Sequence, residues 1–87
     1  MEIDGDLFDA VEFGDLEYTQ ALLNANNLNS QDLLGKTLLM YAAEFEHENI
    51  VKYLLEQNAK KDLKDKEGKT ALDYADIPEI KKILKED

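Results

Sequence analysis

The chain repeats itself at a spacing of 33 residues, and no other feature restricts its fold as strongly. Gly35-Lys36-Thr37-Leu38-Leu39 maps onto Gly68-Lys69-Thr70-Ala71-Leu72 at a shift of 33, which also carries Asp32 onto Asp65, Tyr41 onto Tyr74 and Ala42 onto Ala75. A shift of 32 carries Ala10 onto Ala42, Phe13 onto Phe45 and Leu22-Leu23 onto Leu54-Leu55. Three units follow, near residues 5–31, 32–64 and 65–87, the last of them short. No linker or low-complexity stretch separates them, so residues 1–87 read as one domain. A unit of this size cannot bury an apolar stripe alone. Stacked side by side, such units share a continuous core.

Each unit reads as turn, helix, turn, helix. Asp32-Leu33-Leu34-Gly35 and Asp65-Lys66-Glu67-Gly68 place Asp at the first and Gly at the fourth position of a type I turn. Thr37 and Thr70 then stand as N-caps, whose hydroxyls can accept a free helix N–H. The first helix is expected near 38–45, with Ala42 and Ala43 letting a neighbour approach closely. The second is expected from about Glu48 to Gln57, where Ile50, Val51, Leu54 and Leu55 form one apolar stripe. Asn58 follows, a residue that tolerates the left-handed conformation ending many helices. In the first unit the same stripe is read as Leu16, Tyr18, Leu22 and Leu23, followed by Asn26. Pro78 is expected in the first turn of a last helix carrying Ile80, Ile83 and Leu84 on one face and Lys81, Lys82 and Lys85 on the other.

This anatomy resembles the ankyrin repeat. The family pattern D-x-x-G-x-T-P-L-H-x-A-A is matched by Asp32-Leu33-Leu34-Gly35-Lys36-Thr37-Leu38-Leu39-Met40-Tyr41-Ala42-Ala43. Its later G-H-x-x-I-V-x-x-L-L-x-x-G-A is matched by Glu46-His47-Glu48-Asn49-Ile50-Val51-Lys52-Tyr53-Leu54-Leu55-Glu56-Gln57-Asn58-Ala59. The resemblance implies an all-α solenoid of stacked helix-turn-helix units joined by short β-turn fingers, with polar terminal caps. The departures are the family's proline, here Leu38 and Ala71, and its histidine, here Met40 and Asp73. Asp73 stands three residues after Thr70, as in a capping box. The family also packs the Tyr41 and Tyr74 position against the preceding repeat. Asp9 holds that position in the first unit, which suits a stack with no repeat before it.

Charge narrows the partners. The net charge is −10, from 10 lysines against 20 acidic residues. Residues 1–59 hold 12 acidic residues and two lysines, so the whole excess sits there. Nucleic-acid binders use cations to displace counterions from phosphate and arginine to read bases. An acidic chain without arginine argues against nucleic acid and anionic membrane, and favours a partner with a basic surface. The absence of cysteine removes disulfides, thiolate zinc sites and cysteine nucleophiles, and suits a reducing, cytoplasmic setting.

No constellation for chemistry emerges. His47 is the only histidine and aligns with a structural position between the two helices. Glu44, Glu46 and Glu48 are spaced by two, and residues i and i+2 of a helix point to different faces, while Asp4, Asp6 and Asp9 do not match a calcium loop. Gly35 and Gly68 are isolated turn glycines, and Ser30 is the only serine. The reading is a protein without enzymatic activity, cofactor or metal.

The family resemblance implies a protein-recognition scaffold that contacts its partner through finger tips and the concave side of the first helices. Carried over by position, this gives Leu33, Leu34 and Lys36 on one finger and Lys66, Glu67 and Lys69 on the other. On the first helices it gives Glu12 with Phe13 and Glu44 with Phe45. Phe13 and Phe45 are register-matched, so stacking places them side by side, either exposed for binding or tucked into the helix bend. The expected function is binding of one protein partner by a chain that is monomeric alone, in the manner of an inhibitor or immunity-type protein. The alternative is a structural subunit of a larger assembly.

Overall fold

The computed structural model describes residues 4–86. Among the described residues six helices follow in order: α1 Asp4–Phe13, α2 Leu16–Leu22, α3 Leu38–Glu44, α4 Glu48–Glu56, α5 Ala71–Tyr74 and α6 Pro78–Lys85. They pack as three consecutive pairs, α1 with α2, α3 with α4 and α5 with α6. Helix α3 packs between α1 and α5 in one row, and α4 packs between α2 and α6 in the other. This is the all-helical solenoid expected of stacked repeats.

Each helix begins where its chemistry allows. The Asp15 side chain accepts from the Tyr18 N–H at the start of α2. Thr37 Oγ1 accepts from the Met40 N–H at 3.2 Å, while Met40 Sδ receives the Thr37 N–H at 3.4 Å. A thioether thus completes a box usually closed by a carboxylate. In the third unit Asp73 does this, its Oδ2 accepting from the Thr70 N–H at 2.9 Å. Pro78 opens α6 without losing a bond, because a first-turn N–H has no intrahelical partner. Asn58 ends α4 at φ 73°.

The core lies between the two rows. Val11, Leu38, Ala42, Ala43, Ile50, Val51, Leu54 and Ile80 are wholly buried. Each of the larger side chains contributes about 1.5–3 kcal/mol of transfer free energy. Ala42 and Ala43 let α3 sit close to its neighbours on both sides.

Two details differ from the sequence reading. Tyr18 is 45% exposed, and Thr19 takes the buried place on α2, its hydroxyl donating to the Asp15 carbonyl at 2.8 Å. The spacing Leu16, Thr19, Leu22 is the helical one, and a threonine that satisfies its own hydroxyl can fill the middle position. Helix α2 also stops at Leu22 rather than running toward Asn26. Asn27 Nδ2 donates to the Leu22 carbonyl at 3.0 Å, and Asn24 Oδ1 takes the Asn26 and Asn27 amides. Asparagine side chains capture the backbone groups that another helical turn needs.

Candidate functional site

Two fingers project from the N-terminal ends of α3 and α5, and an aspartate builds each of them. Asp32 Oδ1 accepts from the Leu34 and Lys36 amides, both at 2.9 Å, and the Gly35 N–H closes the turn on the Asp32 carbonyl at 2.9 Å. Asp65 does the same with Glu67, Lys69 and Gly68. Gly35 and Gly68 sit at φ 81° and 79°, which a side chain opposes. The fingers are also tied to each other. The Lys66 N–H donates to the Leu34 carbonyl at 3.0 Å, and Gln31 Nε2 bridges the Gly35 and Lys64 carbonyls.

A second anchor joins each finger to its helix. The Tyr41 hydroxyl donates to Asp32 Oδ2, and the Tyr74 hydroxyl to Asp65 Oδ2. The Asp65 carboxyl is held below the usual aspartate range, chiefly by the Tyr74 hydroxyl and then by the Lys69 amide, while burial opposes the effect. The Tyr41 phenol is pushed above its ordinary value, first by burial and then by the bond to Asp32. For Tyr74 the bond to Asp65 comes first and burial second.

Lys36 does not stand free at a tip. Its side chain is 12% exposed, and its ammonium pairs with Glu44 Oε1 at 2.5 Å. The ammonium also lies 4.3 Å from the Tyr41 ring centre and 4.6 Å from that of Tyr74. Lys36 and Glu44 therefore hold the wall between two repeats together instead of facing solvent as a loose pair. Lys69 lies 5.4 Å from the Tyr74 ring centre and 3.5 Å from Glu67 Oε1.

Apart from Tyr18 on α2, the large exposed apolar side chains among the described residues fall at two places. Leu33 and Leu34, at the first finger tip, are 90% and 61% exposed. Phe13 and Phe45, at the C-terminal ends of α1 and α3, are 81% and 42% exposed. Helix α3 separates Leu34 from Phe45 by about 10 Å of helical rise. Phe45 stacks on Tyr41 with 6.4 Å between ring centres, and Tyr41 meets Phe8 edge-on at 5.6 Å. The position expected to pack on the preceding repeat does so through Tyr41 and Phe8. Glu12, Lys66 and Glu67 are exposed. A depression of about 220 Å³ between the fingers is lined by Leu34, Lys36, Asp65, Lys66, Glu67 and Tyr74.

His47 joins the first two pairs. Its Nε2 donates to the Glu12 carbonyl at 2.8 Å, and its ring lies against Gly14. Sequence reasoning did not anticipate the inward Lys36, the Asp–Tyr bonds or the backbone at Glu46, which takes φ 63°. The Asp–Tyr bonds had a signal, since both residues recur at the same shift. Among the described residues no group of three or more His, Asp or Glu is placed to hold a metal ion, and no helix is long and apolar enough to cross a membrane.

Comparison with known proteins agrees with this geometry. The family model for ankyrin repeats, in three copies, matches residues 7–86. M-phase phosphoprotein 8 from Rattus norvegicus, Mus musculus and Homo sapiens is similar, at 38% identity over 72 residues. The alignment covers 79% of this chain and 8% of the relative, so the chain spans a small fraction of the curated relatives it matches. Ankyrin repeats are generic protein–protein interaction modules. With finger, cap, small-residue helix and leucine stripe recurring at one spacing and the family model covering nearly all of it, the chain belongs to the ankyrin-repeat family.

Proposed function

We propose that this chain is a non-enzymatic binding module that takes one protein partner with a basic surface through its finger tips and first-helix row. Leu33 carries the reading: it is 90% exposed on a backbone pinned by Asp32 and tied into the neighbouring finger. A leucine pair held this way removes apolar surface from water on binding, with little ordering left to do. Leu33, Leu34, Lys66, Glu67 and Lys69 form the finger side of the contact, and Glu12, Phe13 and Phe45 the helix side. Lys36 and Glu44 brace the wall between them. The acidic excess of residues 1–59 supports a cationic partner and raises the rate of encounter. A face this small admits one partner at a time, which favours masking over scaffolding, as in an inhibitor or immunity-type protein. The chain acts as a monomer in the cytoplasm on this reading.

The test uses the wild-type chain and the double variant Leu34→Glu with Phe45→Glu as paired baits in native lysate, followed by affinity measurement on the purified partner. The reading expects a partner kept by the first and lost by the second while both remain folded. Affinity should fall as salt rises. Equal retention by both baits contradicts the assigned face. Salt-independent affinity removes the electrostatic part. A chain that folds only within a permanent complex returns it to a structural subunit.

A further inference from the structure

We infer that the second-helix row binds an acidic, leucine-bearing segment of a protein, seated in two recesses on either side of the end of α4. The inference goes beyond the binding reading above, because it concerns the other row of helices and a ligand of the opposite charge.

The smaller recess, of about 200 Å³, is lined by Leu23, Leu28 and Tyr53 together with Asn24, Ala25 and Gln57. The larger, of about 520 Å³, lies between α4 and α6, with Leu55, Ala59 and Ile83 as its apolar lining and Lys52, Lys60 and Lys61 around them. Leu23 and Leu55 are register-matched at a shift of 32, so successive helix pairs build the two recesses alike. Leu23, Leu28, Leu55, Ala59 and Ile83 are half-buried, and a side chain seated on them would take the rest of their apolar surface from water. The edges are braced. The Lys60 N–H donates to Asn29 Oδ1 at 2.9 Å, and the Lys61 ammonium donates to the Glu86 carbonyl just beyond α6. Little ordering is left for a ligand to impose.

Charge names the occupant. On the outer side of α6, Lys81, Lys82 and Lys85 line a further depression that shares Glu86 with the larger recess. Six of the ten lysines thus meet along this row, with Glu56 and Glu86 as the acidic lining, in a chain whose net charge is −10. A phosphate polymer has no side chain for the recesses, and the acidic remainder of the chain repels it. An acidic peptide supplies carboxylates for the ammonium groups and leucines for the apolar linings. Neighbouring helices pack about 8–10 Å apart, and three residues of extended chain span about 10 Å. Leucines three residues apart therefore suit the two recesses, with the acidic residues following toward the lysines of α6.

Three synthetic peptides test this: leucines three apart followed by a run of aspartates, a twin with asparagine for aspartate, and a twin with serine for leucine. Each is titrated into the isotope-labelled chain. The first should shift the amides of Leu23, Leu55, Ala59, Lys60 and Ile83, leave Leu33 and Leu34 in place, and bind about tenfold more tightly than either twin. Lys60→Gln with Lys82→Gln should weaken it about fivefold, leave the asparagine twin unaffected and move the melting temperature by less than about 4 °C. Equal affinity of the first peptide and its asparagine twin overturns the inference, as does unchanged affinity in the folded lysine variant. Absence of shifts at millimolar peptide, or shifts confined to the fingers and first helices, also overturns it. Tighter binding of polyphosphate or phosphatidylserine vesicles at the same amides would give the lysines to a polyanion instead. The same shifts on concentrating the chain alone would make a second copy the occupant. Either result overturns the peptide assignment.

Discussion

The Tyr41 hydroxyl donates to the same Asp32 carboxylate that holds the finger amides, and one repeat later Tyr74 and Asp65 reproduce the bond. A single carboxylate thus ties each projecting tip to the helix behind it. These pairs brace the tips, and their shifted titrations make stability depend on pH.

Asp65 has a folded pKa below its unfolded value, so the unfolded chain takes up its proton first as pH falls. This contribution is complete above the unfolded aspartate value of about 4 and is lost as pH falls through the lower folded value. Tyr41 and Tyr74 are raised, so their contribution is complete below about pH 10 and is lost as pH rises through the folded values. Ultraviolet phenolate titration should show late-ionising phenols that vanish in the Tyr41→Phe, Tyr74→Phe double variant. In acid titrations, Tyr74→Phe should lose stability less steeply than wild type. Phenols that all ionise together near pH 10 contradict the pairing.

Removing one side of the pair should reveal its asymmetry. Tyr41→Phe deletes one hydrogen bond and should lower stability by about 1 kcal/mol. Asp32→Ala leaves two turn amides and a phenol without their acceptor and should lower it by about 2–3 kcal/mol. Denaturant melts of the two variants check the order. A Tyr41→Phe effect equal to that of Asp32→Ala contradicts a shared carboxylate.

Gly14 combines φ 81° with a ring in the space a side chain needs. Gly14→Ala should lower stability by about 2 kcal/mol. His47→Ala in the same chain should recover part of this, because it removes the clash and leaves the left-handed backbone. A double-mutant cycle measures the coupling. Strict additivity shows that the loops do not press on one another.

Leu54 is wholly buried between the two rows. Leu54→Ala should lower stability by about 2–5 kcal/mol, a large part of what a chain of this size holds. Leu33→Ser, at 90% exposure, should change stability by less than about 0.5 kcal/mol. Paired thermal melts check both. A Leu33 effect as large as that of Leu54 would mean the tip is packed.

The sequence carried the fold in its punctuation. The Asp-to-Gly turns, Thr37 and Thr70, Asn58 and Pro78 mark boundaries by local chemistry, and the structure places helix ends beside each. The leucine stripe of α4 set the buried face for the same reason. Lys36 was not legible, because its inward course depends on two rings from different repeats meeting at one ammonium. Tyr18 and Thr19 exchanged roles because hydrophobicity alone ranks them, whereas helical angle decides. The third unit's first helix, only Ala71–Tyr74, is shortened by the residues missing before Pro78. The positive φ of Glu46 had a signal that went unread, since the family pattern and the register-matched Gly14 both place glycine there.

Hydrogen exchange on the free chain and on its complex with the purified partner tests the proposed face most directly. Binding should slow exchange at residues 32–36, 66–69 and 44–47, and leave α2 and α6 as they are. Protection centred on α2, α4 and α6, with the finger amides unchanged, would place the partner on the opposite side of the stack and contradict the account.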